Sequence, residues 1–198
     1  MDPARISYKI YQGSTFLETL RWESETKQYV PISAITNAAP CVITTTAAHT
    51  IPLNWRVRVT GVNGMKDINN ISTDSYYLVT SKTTNTITLN QINSASFSAY
   101  TSGGIIEYNT PVPLNYYTAR MQIRETIESD TVLAELTTQN GGIVIDPINY
   151  TISLKINAAV TATFNFDSAV YSCELIDSAS IVYPFLTGSI TLVKDAIR

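Results

Sequence analysis

Tyr117-Thr118-Ala119-Arg120-Met121-Gln122-Ile123-Arg124 alternates without a break. Tyr117, Ala119, Met121 and Ile123 fall on one side of an extended chain, and Thr118, Arg120, Gln122 and Arg124 on the other. That is a strand with one face in a core and one in water. The same period of two returns at Arg56-Val57-Arg58-Val59-Thr60, Gly142-Ile143-Val144-Ile145, Tyr150 to Ile156, Val170 to Leu175 and Ser189 to Val193. Turn signals recur about every 8 to 12 residues, the spacing of a sandwich or barrel. Helical spacing is confined to Ala158 to Thr163, where β-branched Val160, Thr161 and Thr163 weaken it. The sequence reads as all-β.

Two textures share the chain. Before Gly103-Gly104 the β-branched runs are short: Asn63-Gly64 offers the positive φ angles of a tight hairpin turn, and Ser81 to Asn85 joins Tyr76–Thr80 to Thr86–Leu89 as a second hairpin. After it the strands lengthen. Two Pro-containing stretches, Tyr29-Val30-Pro31-Ile32-Ser33 and Thr110-Pro111-Val112-Pro113-Leu114, bracket the first texture, and prolines suit chain crossings at the end of a sheet. With the bracketed residues lifted out, Phe16 to Trp22 continues towards Tyr117 to Arg124, as neighbouring strands of one sandwich would. The expected organisation is a discontinuous host of residues 1–32 and 109–198, an antiparallel β-sandwich, with residues 33–108 inserted as a small β-barrel.

The host runs "YQGSTFLETLRW", "YTARMQIR", "LAELTTQNGGIVI", "YTISLKINAAVTATFNF", "VYSCELID" and "FLTGSITLVKDAIR" resemble a family of small phage virion proteins encoded among tail, baseplate or neck genes. In plan they are similar to the immunoglobulin-like (Ig-like) domain of phage baseplate upper proteins. The inserted "ITNAAPCVITTTAAHTI", "VRVTGVNGMKDIN", "NTITL" and "AYTSGG" resemble the first-catalytic-cysteine half-domain (FCCH) barrel of ubiquitin-activating enzymes, with Asn54 where the pattern carries Gly and Ile68 where it often carries Leu. The second resemblance implies a fold and no ubiquitin chemistry, since the adenylation and catalytic cysteine domains have no counterpart here.

Composition narrows the chemistry. The 198 residues carry a formal charge of -3, with 15% charged residues and about one Thr in seven. A basic field for a nucleic-acid backbone or an anionic membrane is missing, and no run reaches the ~18 apolar residues of a membrane span. Cys41 and Cys173 sit among apolar neighbours and read as buried thiols. His49, the only histidine, stands at a strand-to-turn corner between Ala48 and Ile51-Pro52, where it suits a hydrogen bond to the turn backbone. One His and two distant Cys fall short of a zinc site or a catalytic triad. Glu125, Glu128 and Asp130 form a solvated loop or a weak cation site. Trp22, Tyr117 and Tyr171 belong to the host core. Tyr76, Tyr77 and Tyr100 are the candidate contact residues, because adjacent Tyr76 and Tyr77 on a strand must face opposite sides.

The expectation is a non-enzymatic virion protein with no catalytic residues, cofactor or metal, assembled in the host cytoplasm into the phage tail or neck. As a tail- or baseplate-associated adaptor it would occupy a homo-oligomeric ring or recur in multiple copies against other virion proteins, without nucleic acid or membrane. A neck or decoration protein, and a host-surface glycan-binding module, are the alternatives.

Overall fold

The computed structural model describes residues 2–70, 72 and 74–195. Strands make up 51% of the chain and helix 4%, which places it in the all-β class, with sandwich-like and curled, barrel-like sheets. It divides into two compact units, one of Met1–Trp22 with Pro113–Arg198 and one of Glu23–Val112. The first unit opens with β1 (Ala4–Arg5), β2 (Tyr8–Tyr11) and β3 (Phe16–Leu20).

The second unit holds β4 (Glu23–Ile35), β5 (Cys41–Thr45), β6 (Arg56–Asn63), β7 (Tyr77–Leu78), β8 (Ser81–Lys82), β9 (Thr86–Leu89) and β10 (Ser102–Pro111), in the order β7-β6-β10-β4-β5-β9-β8. β7 and β8 are one extended run. The Val79 amide donates to the Trp55 carbonyl (3.0 Å) and the Thr80 amide to that of Thr88 (2.9 Å), so residues 77–82 join both ends of the sheet into a small barrel. Ile43, Trp55, Val57, Val59, Met65, Ile87, Leu89 and Ile106 are fully buried inside, each worth about 1.5–3 kcal/mol of transfer free energy.

Three details of the second unit differ from the sequence reading. The division falls outside the borders read at 32/33 and 108/109, because β4 and β10 stay paired down to Glu23 and Pro111. Pro31 sits within β4 and not at a crossing; it faces away from β10, where no ladder N–H is needed, and its carbonyl accepts from the Thr46 amide at 3.0 Å. Asn63-Gly64 does not close a two-residue hairpin. The chain passes through a 3₁₀ turn at Lys66–Ile68, and the next two residues take the place of a strand beside β6. Asn69 accepts from the Val62 amide (2.9 Å) and donates to its carbonyl (3.0 Å), while the Asn70 carboxamide oxygen accepts from the Val59 amide (2.7 Å). Two side chains satisfy a ladder that the pattern assigned to backbone.

The first unit resumes with β11 (Thr118–Arg124), β12 (Ala134–Thr137), β13 (Ile143–Asp146), β14 (Thr151–Ile156), the helical turn α1 (Ala158–Thr161), β15 (Ser168–Ile176) and β16 (Val182–Val193). One sheet runs β1-β16-β15-β11-β12, with β2 also on β16, and the other β13-β14-β3. The order β16-β15-β11 facing β13-β14-β3 is the G-F-C against D-E-B arrangement of an Ig-like sandwich. β1 and β2 run parallel to β16, and the other pairs are antiparallel. β3 and β11 therefore lie in opposite sheets instead of side by side, and the second unit is inserted in a sheet-to-sheet connection. Ile10, Met121, Ile123, Leu175 and Ile190 of one sheet and Phe16, Ile143, Ile152 and Leu154 of the other are buried between them. Trp22 packs against Tyr117 (6.0 Å between centroids), Tyr183 (5.8 Å) and Phe185 (5.8 Å), and Tyr171 is buried against Tyr8 at 5.4 Å.

Candidate functional site

Strand alternation puts Arg56 and Arg58 of β6, Glu107 and Asn109 of β10, and Glu23, Lys27 and Tyr29 of β4 on the outer face of the barrel. Register sets Glu107 opposite both Arg58 and Tyr29. The charges satisfy one another there. Lys27 Nζ reaches Glu107 Oε1 at 2.6 Å, with Arg58 at 3.5 Å from the same oxygen. Arg56 grips Glu23 with two nitrogens (3.2 and 2.8 Å), and the Asn109 amide donates to Glu23 at 3.3 Å. The Glu23 carboxylate holds the Arg56 guanidinium above its ordinary range, and Glu107 does the same for the Lys27 ammonium. These groups line a cleft of about 210 Å³ together with Tyr76.

Tyr76 is the outward ring of its pair, 44% exposed, with the Arg56 guanidinium 4.9 Å from its centroid. Tyr77 is half-buried, and its hydroxyl donates to the Ile68 carbonyl (3.0 Å). The Tyr100 hydroxyl reaches the carbonyls of Ile32 (3.2 Å) and Gly103 (2.9 Å), holding β4 to the start of β10. Of the three tyrosines singled out from the sequence, Tyr76 shares the charged face, while Tyr77 and Tyr100 spend their hydroxyls on the barrel. The reading missed Tyr29, 59% exposed on the same face near Ile105. Its signal was the charged alternation Glu23, Glu25, Lys27, Tyr29, which is legible once β4 is started at Glu23.

The sandwich has its own ordered polar face on the outer side of β12, β11 and β15. Arg120 donates through Nε and through a terminal nitrogen to one oxygen of Glu174, both at 2.8 Å. Gln122 donates to Glu135 (2.8 Å) and accepts from Arg124 (2.8 Å), which also binds the Ser129 carbonyl. A groove of about 440 Å³ runs over these side chains, with Ile127, 81% exposed, at its rim. Glu125, Glu128 and Asp130 in the same loop face solvent, and among the described residues no three His, Cys, Asp or Glu side chains are grouped to hold a metal ion.

The polar groups singled out for chemistry have structural work. His49 Nδ1 accepts from the Ile51 amide (3.3 Å), which leaves Nε2–H to donate to the Thr86 carbonyl (3.1 Å). Cys41 and Cys173 are free, buried thiols; burial pushes both up, Cys173 to about 12, which keeps them protonated and unreactive. Among the described residues no helix is long and apolar enough to cross a membrane. A scan against protein-family models finds no match to this chain, and neither does a search of curated proteins.

Proposed function

We propose that this chain is a non-enzymatic structural protein of a phage virion, an adaptor that meets its neighbours through two pre-ordered sheet faces. The observation that carries the reading is the state of the polar and charged side chains on those faces: Arg56, Lys27, Arg120 and the neutral Gln122 are already held by Glu23, Glu107, Glu174 and Glu135. Side chains fixed before contact lose little entropy on docking, which favours specific association of rigid subunits. Exposed Tyr and Arg, side by side at Tyr76 and Arg56, are the residue types that anchor protein interfaces. The sequence resemblance to tail, baseplate and neck proteins supplies the setting, and a symmetric ring would multiply modest contacts into a strong joint.

Immunogold labelling of intact particles with an antibody to this chain tests the reading. Label confined to the tail, baseplate or neck supports it and shows which of those positions applies. Particles that carry none of the chain refute it. The glycan-binding alternative has less behind it, because two of its three tyrosines are committed to the barrel.

A further inference from the structure

Among the described residues, two strand stretches have hydrogen-bonding groups that no neighbouring strand uses. In the sandwich β3 ends its sheet. The Lys155 amide bonds to the Gly142 carbonyl on the far side of β14, so Lys155 and its partner Leu17 form a non-hydrogen-bonded pair, and so do Ser153 and Thr19. The N–H and C=O of Leu17 and Thr19 therefore point outward. In the barrel, β5 pairs with β4 only from Ile32 onward. Because the Pro31 carbonyl bonds Thr46, away from β10, the backbone groups of Tyr29 and Lys27, two and four residues earlier, face the same open side. Open edges of this kind invite a strand from another chain.

We infer that both edges are guarded against strand addition, so that this protein meets copies of itself and other proteins by its faces and not by sharing β-strands. On β3 the guard is Glu18, which lies between Phe16 and Leu20 on the core side of an edge strand, an inward-pointing charge. Burial, with a smaller contribution from the nearby Glu18 carboxylate, raises the Tyr8 hydroxyl above its ordinary range, in keeping with that placement. A strand added outside β3 would cover this carboxylate and remove the water that solvates it, without bringing it a partner. On β4 three devices act together. Lys27 puts a charge on the open stretch, Pro31 closes it without an N–H, and a register shift between Asn109 and Pro111 breaks the regular edge where the Thr26 amide turns to Ser24 Oγ (3.2 Å). Charges, prolines and bulges are the means by which natural sheets avoid edge-to-edge association.

The test follows amide exchange at Leu17, Thr19, Lys27 and Tyr29 in the full chain, together with sedimentation mass, as concentration rises. In the wild type these four amides stay unprotected at every concentration, including any at which the chain associates. Glu18→Val, and the conservative Glu18→Gln, gain protection at Leu17 and Thr19 with a rise in mass to dimer or beyond; Lys27→Val with Pro31→Val does so at Lys27 and Tyr29. Concentration-dependent protection of these amides in the wild type would overturn the inference. So would folded variants, checked by near-ultraviolet circular dichroism, whose edges stay unprotected. Association of the wild type without edge protection supports it, and the result is independent of whether the chain proves to be part of a virion.

Discussion

The Tyr171 hydroxyl donates a 2.8 Å hydrogen bond to the Ile6 carbonyl, 165 positions away in the chain. It crosses from β15 to the break between β1 and β2, over Gly188 of β16. A Cβ at Gly188 would collide with that same carbonyl oxygen. The contact fixes how the N-terminal strands lie on β16. Tyr171→Phe is expected to cost about 1–3 kcal/mol, the penalty for leaving a carbonyl without its donor. Gly188→Ala should cost more, because backbone must move. Urea unfolding followed by circular dichroism measures both.

High pH should unfold the sandwich through its buried acids. Burial pushes Cys173 up to about 12 from 9.0, and raises Tyr171 and Tyr8 above 10.0. Each keeps its proton in the folded chain over a range where the unfolded chain has lost it. The stabilisation is complete below about pH 9 and disappears as pH climbs towards and past 12. Cys173→Ala should make the decline between pH 9 and 12 shallower by up to about 1.4 kcal/mol per pH unit, whatever cavity offset it adds. Urea titrations at stepped pH provide the comparison.

Neighbouring residues on β6 and its approach should separate stability from binding. The Trp55 indole is buried and donates to the Asn109 carbonyl at 2.8 Å, so Trp55→Phe should destabilise the barrel by about 1–3 kcal/mol. Arg56→Ala breaks a half-exposed ion pair and should cost no more than about 1 kcal/mol. Tyr76→Ala should stay within about 0.5 kcal/mol of the wild type. On the proposed function, the last two should weaken incorporation into particles, measured as copies per virion at equal expression, whereas Tyr77→Phe and Tyr100→Phe should act through barrel stability.

The asparagine that stands in for a strand should be irreplaceable by an apolar residue of similar size. Asn70→Leu keeps the volume but deprives the Val59 amide of its 2.7 Å acceptor and Ser75 Oγ of its 3.1 Å donor. A loss of about 1–3 kcal/mol is expected in thermal or urea unfolding, with faster amide exchange at Val59.

Much of the architecture was legible from alternation. Tyr117 to Arg124 and Val170 to Leu175 declare their buried faces residue by residue, because a sheet wet on one side alternates strictly. β4 was not legible in the same way. From Ser24 to Tyr29 both of its faces meet water to some degree, so no apolar face marks it as a strand, and Pro31 inside it looks like a boundary. Asn69 and Asn70 were hidden for a different reason: a carboxamide replacing backbone leaves no period at all. At the candidate faces Tyr76 could be anticipated from its position beside Tyr77. The pairing of Arg56 with Glu23, or of Arg120 with Glu174, depends on registers between strands distant in sequence, which no local pattern encodes.

Among the described residues β1 and β2 find their only strand partner in β16, while every strand of the barrel lies between Glu23 and Pro111. On the ribosome, then, the barrel has all its pieces while the sandwich still lacks six of its nine strands. β1 and β2 leave the exit tunnel well before β16 and must wait for it before they can settle. A translational pause placed far enough past residue 112 for the barrel to clear the tunnel, but before β16 is made, should yield a nascent chain with a protease-resistant barrel and a β1–β2 stretch still open to digestion.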